Sequence, residues 1–291
     1  MFVILGGTGH VGSHVTSTLL ELGEPVTVVT SDAAKASDWA EKGAKLAEVD
    51  VHDSARLRDV LRTGKRAFLL NPPAAPSTDT DVEERATVAS ILAAVEGSGL
   101  ERVVVESTYG AQPGDRCGDL NVLFEFEEGL RGLGVPTAVI RAAYYFSNYD
   151  LYLPTVIEHG VLPTMIPADL AIPMVAPADL GRTAATLLAG PTAETGIRYV
   201  EGPSRYSPRD VARAFSAALG KPVETAVIPR DKWRDTFREQ GFSEAAAASY
   251  ANMTAVSVDD GFDTPGECVR GEVELEEYIA DLVSREQKSG A

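Results

Sequence analysis

Residues 2–12 read FVILGGTGHVG, and this stretch limits the possible folds more than any other. Four apolar residues, Phe2 to Leu5, suit a short strand covered on both faces. Glycines follow at positions 6, 7, 9 and 12, and VGSHVTSTLLELG then reads as a helix closed by Gly23. A strand that turns on glycines straight into a helix leaves the first N–H groups of that helix facing outward. One glycine permits the tight turn, another lets a pyrophosphate approach the backbone, and a third lets helix and strand pack closely. The stretch therefore predicts a dinucleotide site. Alone it would also suit a ligand-free turn, FAD or a nucleotide sugar.

The unit repeats. PVTVVT, AKLAEVDV, RAFLLN, RVVVEST and PTAVIR are further strand-like runs. AAKASDWAEKG, DSARLRDVLRTG, DVEERATVASILAAVEGSG and LNVLFEFEEGLRGLG lie between them as helices, the second capped by Asp53 or Ser54. Alternation on this scale implies parallel βαβ units: an α/β fold with a Rossmann-type doubly wound parallel sheet.

After Arg141 the rhythm breaks. AAYYFSNYDLYLPTVIEHGVLPTMIPADLAIPMV is rich in Pro, Tyr and Leu and reads as a substrate-side insertion of short elements. PADLGRTAATLLAGP restores a helix and GIRYVEG a strand; SPRDVARAFSAALG is a helix with Ser207 at its cap and Pro208 in its first turn. The remainder to about residue 285 reads as mostly helical, and REQKSGA as a frayed tail. The expected organisation is a dinucleotide-binding lobe over 1–150, with 176–202 returning to it. A smaller C-terminal α/β substrate lobe takes 151–175 and 203–291.

The formal charge is −17, from 26 basic and 43 acidic side chains, which argues against binding nucleic acid or an anionic membrane. Cys117 and Cys268 are far apart and form no CxxC pair, which suggests free thiols in a reducing compartment. His10, His14, His52 and His159 show no metal-ligand spacing, so no metal is expected. The N-terminal apolar run is too short for a signal peptide, and no stretch approaches the roughly 18 apolar residues of a membrane span. A cytoplasmic protein is expected, a monomer or homodimer with a small-molecule partner.

The end of the second strand bears on the cofactor. Asp32 lies 20 residues past Gly12, where an acid would bind the ribose hydroxyls of NAD. Thr30, Ser31 and Lys35 around it could instead hold the 2′-phosphate of NADP. These residues leave both dinucleotides open.

GGTGHVG, VTSDAAKASDWAEKGAKLAEVDVHDSARL, EEGLRGLGVPTAVIRAAYYFSN, MVAPADLGRTAATLLAGP and GIRYVEGPSRYSPRDVARAFSAALGKPV occur in this order. In that order and spacing the chain resembles the NmrA-like branch of the atypical short-chain dehydrogenase/reductases. The resemblance implies a Rossmann lobe, a smaller C-terminal lobe, a cleft between them, and a preference for NADP(H), with NAD(H) possible. It implies a phosphate loop of Gly6, Thr8, Gly9, His10, Val11 and Gly12. It sets Asp50 and Val51 beside adenine. Asn71, Pro72, Pro73 and Ser107 would lie along the cofactor, with Thr108 on the substrate side, and Ala143, Tyr144 and Tyr145 would approach the nicotinamide. The family usually has Arg where this chain has Ser31, and Lys where it has Lys35.

Typical short-chain dehydrogenases carry Tyr-x-x-x-Lys on the helix after the fifth strand. Here that helix reads DLNVLFEFEEGL, with neither Tyr nor Lys. A reductase survives this loss if its acceptor needs mainly a hydride. The resemblance to quinone oxidoreductases and triphenylmethane reductases points to quinones, cationic dyes and conjugated double bonds. Alternatively the fold reports redox state through a protein partner, or serves a non-redox cyclase or isomerase. YYFSNYDLY sets Tyr144, Tyr145, Phe146, Tyr149 and Tyr152 beside the cleft, and aromatic walls suit a flat conjugated substrate. Tyr109 and Tyr145 are the candidate proton donors. Phe146, Asn148 and Tyr149 are candidate substrate contacts, although core packing is the ordinary role of any one ring. Glu106, unusual in an apolar strand, reads as a pocket acid or a solvated strand end.

Overall fold

Apolar runs alternating with amphipathic ones give, in the computed structural model, strands β1 (Phe2–Leu5), β2 (Val26–Thr30), β3 (Lys45–Glu48), β4 (Arg66–Leu69), β5 (Arg102–Thr108) and β6 (Thr137–Ala142). Helices α1 (His10–Glu21), α2 (Ser37–Glu41), α3 (Ser54–Leu61), α4 (Thr80–Val95) and α5 (Asp119–Leu133) connect them. The structure describes residues 1–261 and 265–289. The strands lie in the order β3-β2-β1-β4-β5-β6, all parallel. This is the doubly wound order, with its switch point between β1 and β4, and the glycine turn after β1 opens there.

The second half adds β7 (Tyr144–Tyr145), α6 (Leu153–His159), β8 (Val161–Thr164), β9 (Ile172–Val175), α7 (Pro177–Ala189) and β10 (Gly196–Glu201). It continues with β11 (Arg205–Tyr206), α8 (Pro208–Leu219), β12 (Glu224–Val227), α9 (Trp233–Glu239), α10 (Glu244–Asp259), β13 (Val269–Arg270) and α11 (Leu275–Ser289). β10 and β13 extend the main sheet beyond β6, both parallel, to eight strands. β11, β9 and β7 form a three-stranded sheet, and β12 pairs with β8.

Each face of the main sheet buries an apolar cluster. One packs Phe2 and Ile4 of β1 and Val104 of β5 against α1 and α7; the other packs Val3, Val103 and Val105 against α3, α4 and α5. α7 crosses α1 at Gly181, where a Cβ would stand 2.3 Å from that of His14, so only glycine allows the two helices to close. Two arginines in apolar strands are explained at the amino edge. Arg66 and Arg102 donate to carbonyls of Leu188, Gly190, Pro191 and Glu194, at and beyond the end of α7. A third cluster, including Phe146, Tyr149, Met174, Val211, Phe215 and Ile279, is the core of the smaller half. Asp53 caps α3, and Ser207 with Asp210 forms a capping box on α8.

The stretch after residue 220 is mostly helical, as expected, with the short strands β12 and β13 besides. β13 joins the main sheet, and Gly271 N–H donates to the Glu201 carbonyl at 2.7 Å beside it. A two-residue strand is too short to show any alternation. Two expectations are corrected. Tyr144 and Tyr145 already pair with β9, so the small sheet begins before residue 150. α11 continues through residues 285–289, where a frayed tail was expected; Gly290 and Ala291 lie outside the described residues.

No helix among the described residues is long and apolar enough to cross a membrane. Among them, no group of three or more His, Cys, Asp and Glu could hold a metal.

Candidate functional site

The glycine turn is built as the sequence predicts. Gly6 has φ +72°, and Gly9 N–H donates to the Gly6 carbonyl at 2.9 Å. A Cβ on Gly12 would stand 2.2 Å from that carbonyl oxygen, and one on Gly7 2.8 Å from Val28 Cγ1. Thr8, Gly9 and His10 form the exposed crest; Val11 and Gly12 are buried beneath it. Gly9 is the N-cap of α1, which has no side-chain cap and no acid in its first turn. Its leading N–H groups and the positive end of its dipole are thus left for an anion. These residues fit a dinucleotide pyrophosphate.

Beyond β2, the Thr30 hydroxyl bridges Asp32 N–H and C=O at 3.1 and 3.0 Å. Asp32 Oδ1 accepts from Ala34 N–H at 3.0 Å, and Lys35 Nζ lies 3.9 Å from its other oxygen. Ser31, directly after β2, and Lys35, on a short 3-10 segment Ala34–Ala36, are both exposed. After β3, Asp50 Oδ1 accepts from His52 N–H, and the Val51 carbonyl is anchored to α4 by Ser90.

After β4, the Leu70 side chain abuts Gly6. Asn71 and Pro72 are half-buried and Pro73 is exposed. Asn71 Oδ1 is buried with no hydrogen-bond partner among the described residues, an acceptor a ligand could satisfy.

The carboxyl ends of β5 and β6 carry three separate polar arrangements. On the α5 face, Ser107 donates to Glu127, which Arg141 grips bidentately at 2.9 and 2.8 Å. Arg141 also reaches Tyr199 Oη. Both acid and base are largely buried, so Ser107 is committed to this network. Tyr109 donates to Glu201 Oε1 at 2.8 Å, and Glu201 in turn pairs with Arg270 and Arg205. Burial first, and then this bond, raise the Tyr109 pKa far above its usual value. Tyr109 therefore sits in a structural network, a correction to its expected place as a proton donor.

Tyr145 is half-buried and donates to Glu106 Oε1, whose residue is 9% exposed. Desolvation pushes the Glu106 carboxyl up to about 7, against the lowering effect of the Tyr145 hydrogen bond. Thr108, also half-buried, ends β5. Tyr144 and Tyr149 meet edge-on at 5.8 Å, and the Tyr144 hydroxyl is hydrogen-bonded to Asn148. Tyr149 Oη is buried without a partner among the described residues. Phe146 is fully buried between Tyr206 and Tyr278, so it packs as core rather than as a pocket wall.

One group was not anticipated. Asp81 and Glu84 on α4 and Asp119 at the start of α5 stand near one another and near Tyr250 of α10. Burial, then the Asp119 charge, raises Glu84; burial, then Asp81, raises Asp119. Ser249 joins the elements by donating to Asp81 and accepting from Gly118 N–H. In sequence, Asp81 and Asp119 look like ordinary first-turn acids, and nothing local signals that α10 covers them.

The strand order, the glycine turn and the uncapped α1 define a dinucleotide-binding α/β protein of the doubly wound class. More particularly, the NmrA-like family model matches residues 1–279, and the chain belongs to that family. It is 25% identical over 260 residues to an NAD(P)H azoreductase of Xenophilus azovorans, covering 89% of this chain and 88% of that protein. It is 26% identical over 281 residues to the nitrogen metabolite regulation-like protein bik4 of Gibberella fujikuroi, covering 86% and 83%. The triphenylmethane reductase of Citrobacter sp., complexed with NADP(H), superposes with a TM-score of 0.80 at 18% identity, over 97% of this chain and all of that one.

Proposed function

We propose that the chain is an NADP(H)-dependent reductase that passes a hydride to a conjugated aromatic acceptor of the quinone type. The observation that carries this is the cradle at Gly12, where only a hydrogen fits under the Gly6 carbonyl and an uncapped helix begins. Gly6, Thr8, Gly9, His10, Val11 and Gly12 would hold the pyrophosphate, Ser31 and Lys35 the 2′-phosphate, and Asp50 and Val51 the adenine. Asn71, Pro72, Pro73, Ser107 and Tyr144 would border the rest of the cofactor. Thr108, Asn148 and Tyr149 stand on the substrate side. When bound, the reduced nicotinamide supplies the hydride. The chain's own work is to fix the acceptor against aromatic rings, exclude water and furnish a proton, for which Tyr145 is the donor.

The azoreductase and triphenylmethane reductase relatives support this reading, since both are named for conjugated acceptors. The regulation-like relative supports a second one, a dinucleotide-binding regulator without turnover. Titration of NADPH and NADH, followed by fluorescence of Trp39 and Trp233, tests the shared part. NADPH consumption with a panel of quinones then separates the two. Binding without turnover on any acceptor favours the regulator; activity without any cofactor overturns both.

A further inference from the structure

A quinone that takes up a hydride must also take up one proton to become a neutral hydroquinone, and this chain lacks the Tyr-x-x-x-Lys pair that would provide it. The carboxyl edge of the sheet holds another source. Glu106 registers with Ile140 on β6, and Leu69 with Val105, which brings Leu70 beside Glu106 on the other side. The Leu70 side chain abuts Gly6 of the phosphate loop. Glu106 thus stands in the row of the sheet that runs through the cofactor turn.

Its carboxyl is enclosed, and among the described residues its hydrogen-bond partner is the Tyr145 hydroxyl. Tyr145 is the more exposed of the two, and its strand β7 follows directly on β6 at the carboxyl edge of the sheet. The charged group that faces Tyr145 besides Glu106 is Asp119, which is itself beside Asp81 and Glu84. Among the described residues, burial and the Tyr145 hydrogen bond are what act on the Glu106 carboxyl, and no ammonium or guanidinium holds it ionised. Burial accordingly leaves it a weak acid near neutrality, at about 7.

We propose that Glu106 and Tyr145 form a two-residue proton relay in place of the missing Tyr-x-x-x-Lys pair. Tyr145 Oη gives its proton to the acceptor oxygen: the phenolic O–H bond breaks as the acceptor O–H bond forms. The protonated Glu106 carboxyl then returns a proton to Tyr145 Oη and is itself recharged from water. Both electrons come from the reduced nicotinamide, and neither side chain changes oxidation state. The relay rests on the reductase reading above.

The test compares wild type with Glu106→Gln and Tyr145→Phe by two readouts. The first needs no turnover. Infrared difference spectra of the protein alone should show a protonated-carboxyl C=O band that titrates near neutrality, vanishes in Glu106→Gln and shifts in Tyr145→Phe. The second uses two acceptors with NADPH: a quinone, which needs a proton, and a triphenylmethane dye cation, which takes a hydride alone. The quinone-to-dye rate ratio should fall about 100-fold in either variant, the lower range for loss of a general acid. The wild-type quinone rate should decline above neutral pH, and Glu106→Gln should lose that limb. Ratios and pH profiles equal to wild type overturn the relay while the reductase reading stands. A wild type that reduces neither acceptor overturns the reductase reading instead. If Glu106→Gln does not fold, Tyr145→Phe and the wild-type pH profile carry the same comparison.

Discussion

The carbonyl oxygen of Gly6 lies 2.2 Å from the point where a Cβ on Gly12 would stand. Real side chains do not approach backbone so closely, so Gly12→Ala must push the turn and the start of α1 apart. The N–H groups aimed at the pyrophosphate move with it. The Kd for NADPH should rise at least about tenfold, or ~1.4 kcal/mol. Gly132→Ala is the control: in α5, with nothing within 4 Å of its Cβ position, it should gain about 0.5–1 kcal/mol of stability and leave affinity alone. An unchanged Kd in Gly12→Ala would show that the turn holds no pyrophosphate.

That pair was legible in the sequence because glycine spacing, strand and helix all fall within a dozen residues. The first six strands were legible for the same reason: each is a local run bounded by its own turn signals. β13 was not, because its two residues pair with Val200 and Glu201, 69 positions away. Nor could sequence tell the two candidate tyrosines apart. Tyr109 finds Glu201 92 residues on, and Tyr145 finds Glu106 39 residues back, so the partner that decides each role is fixed by topology.

Lys35 is 80% exposed, with Asp32 as its ion-pair partner at 3.9 Å. A pair so open contributes little and can be exchanged for a ligand phosphate. Lys35→Ala should therefore weaken NADPH several-fold and NADH little, read as two Kd values by fluorescence titration. Ser31→Arg should act in the opposite sense, since a guanidinium grips phosphate bidentately. Equal effects on both dinucleotides would remove Ser31 and Lys35 from the 2′-phosphate site.

Tyr109→Phe removes the hydroxyl that donates to the buried Glu201 carboxylate and leaves its two arginine partners in place. The loss of a hydrogen bond to a charged, buried acceptor should cost about 1.5–3 kcal/mol. Urea unfolding should show it as a lower midpoint with an unchanged slope. A midpoint equal to wild type would show that Glu201 is satisfied by Arg270 and Arg205 alone.

Glu106, Glu84 and Asp119 all hold their protons more tightly in the fold than carboxyls ordinarily do, chiefly through burial. The folded chain therefore binds more protons than the unfolded chain in the interval between the ordinary and the raised values. Stability is fully present below the ordinary carboxyl range and is lost as pH rises through about 7 for Glu106. The protein should thus melt at a higher temperature at mildly acidic pH than above neutrality. The excess negative charge of the chain pushes in the same direction, so the informative quantity is a difference between proteins. Glu106→Gln is neutral at every pH and removes one such group. Its Tm should fall less between about pH 5 and about pH 8 than that of wild type, by an amount on the order of 2 kcal/mol, or a few degrees. Parallel Tm curves for the two proteins would place the Glu106 carboxyl in contact with solvent and charged at neutrality, where it could neither destabilise the fold nor recharge Tyr145.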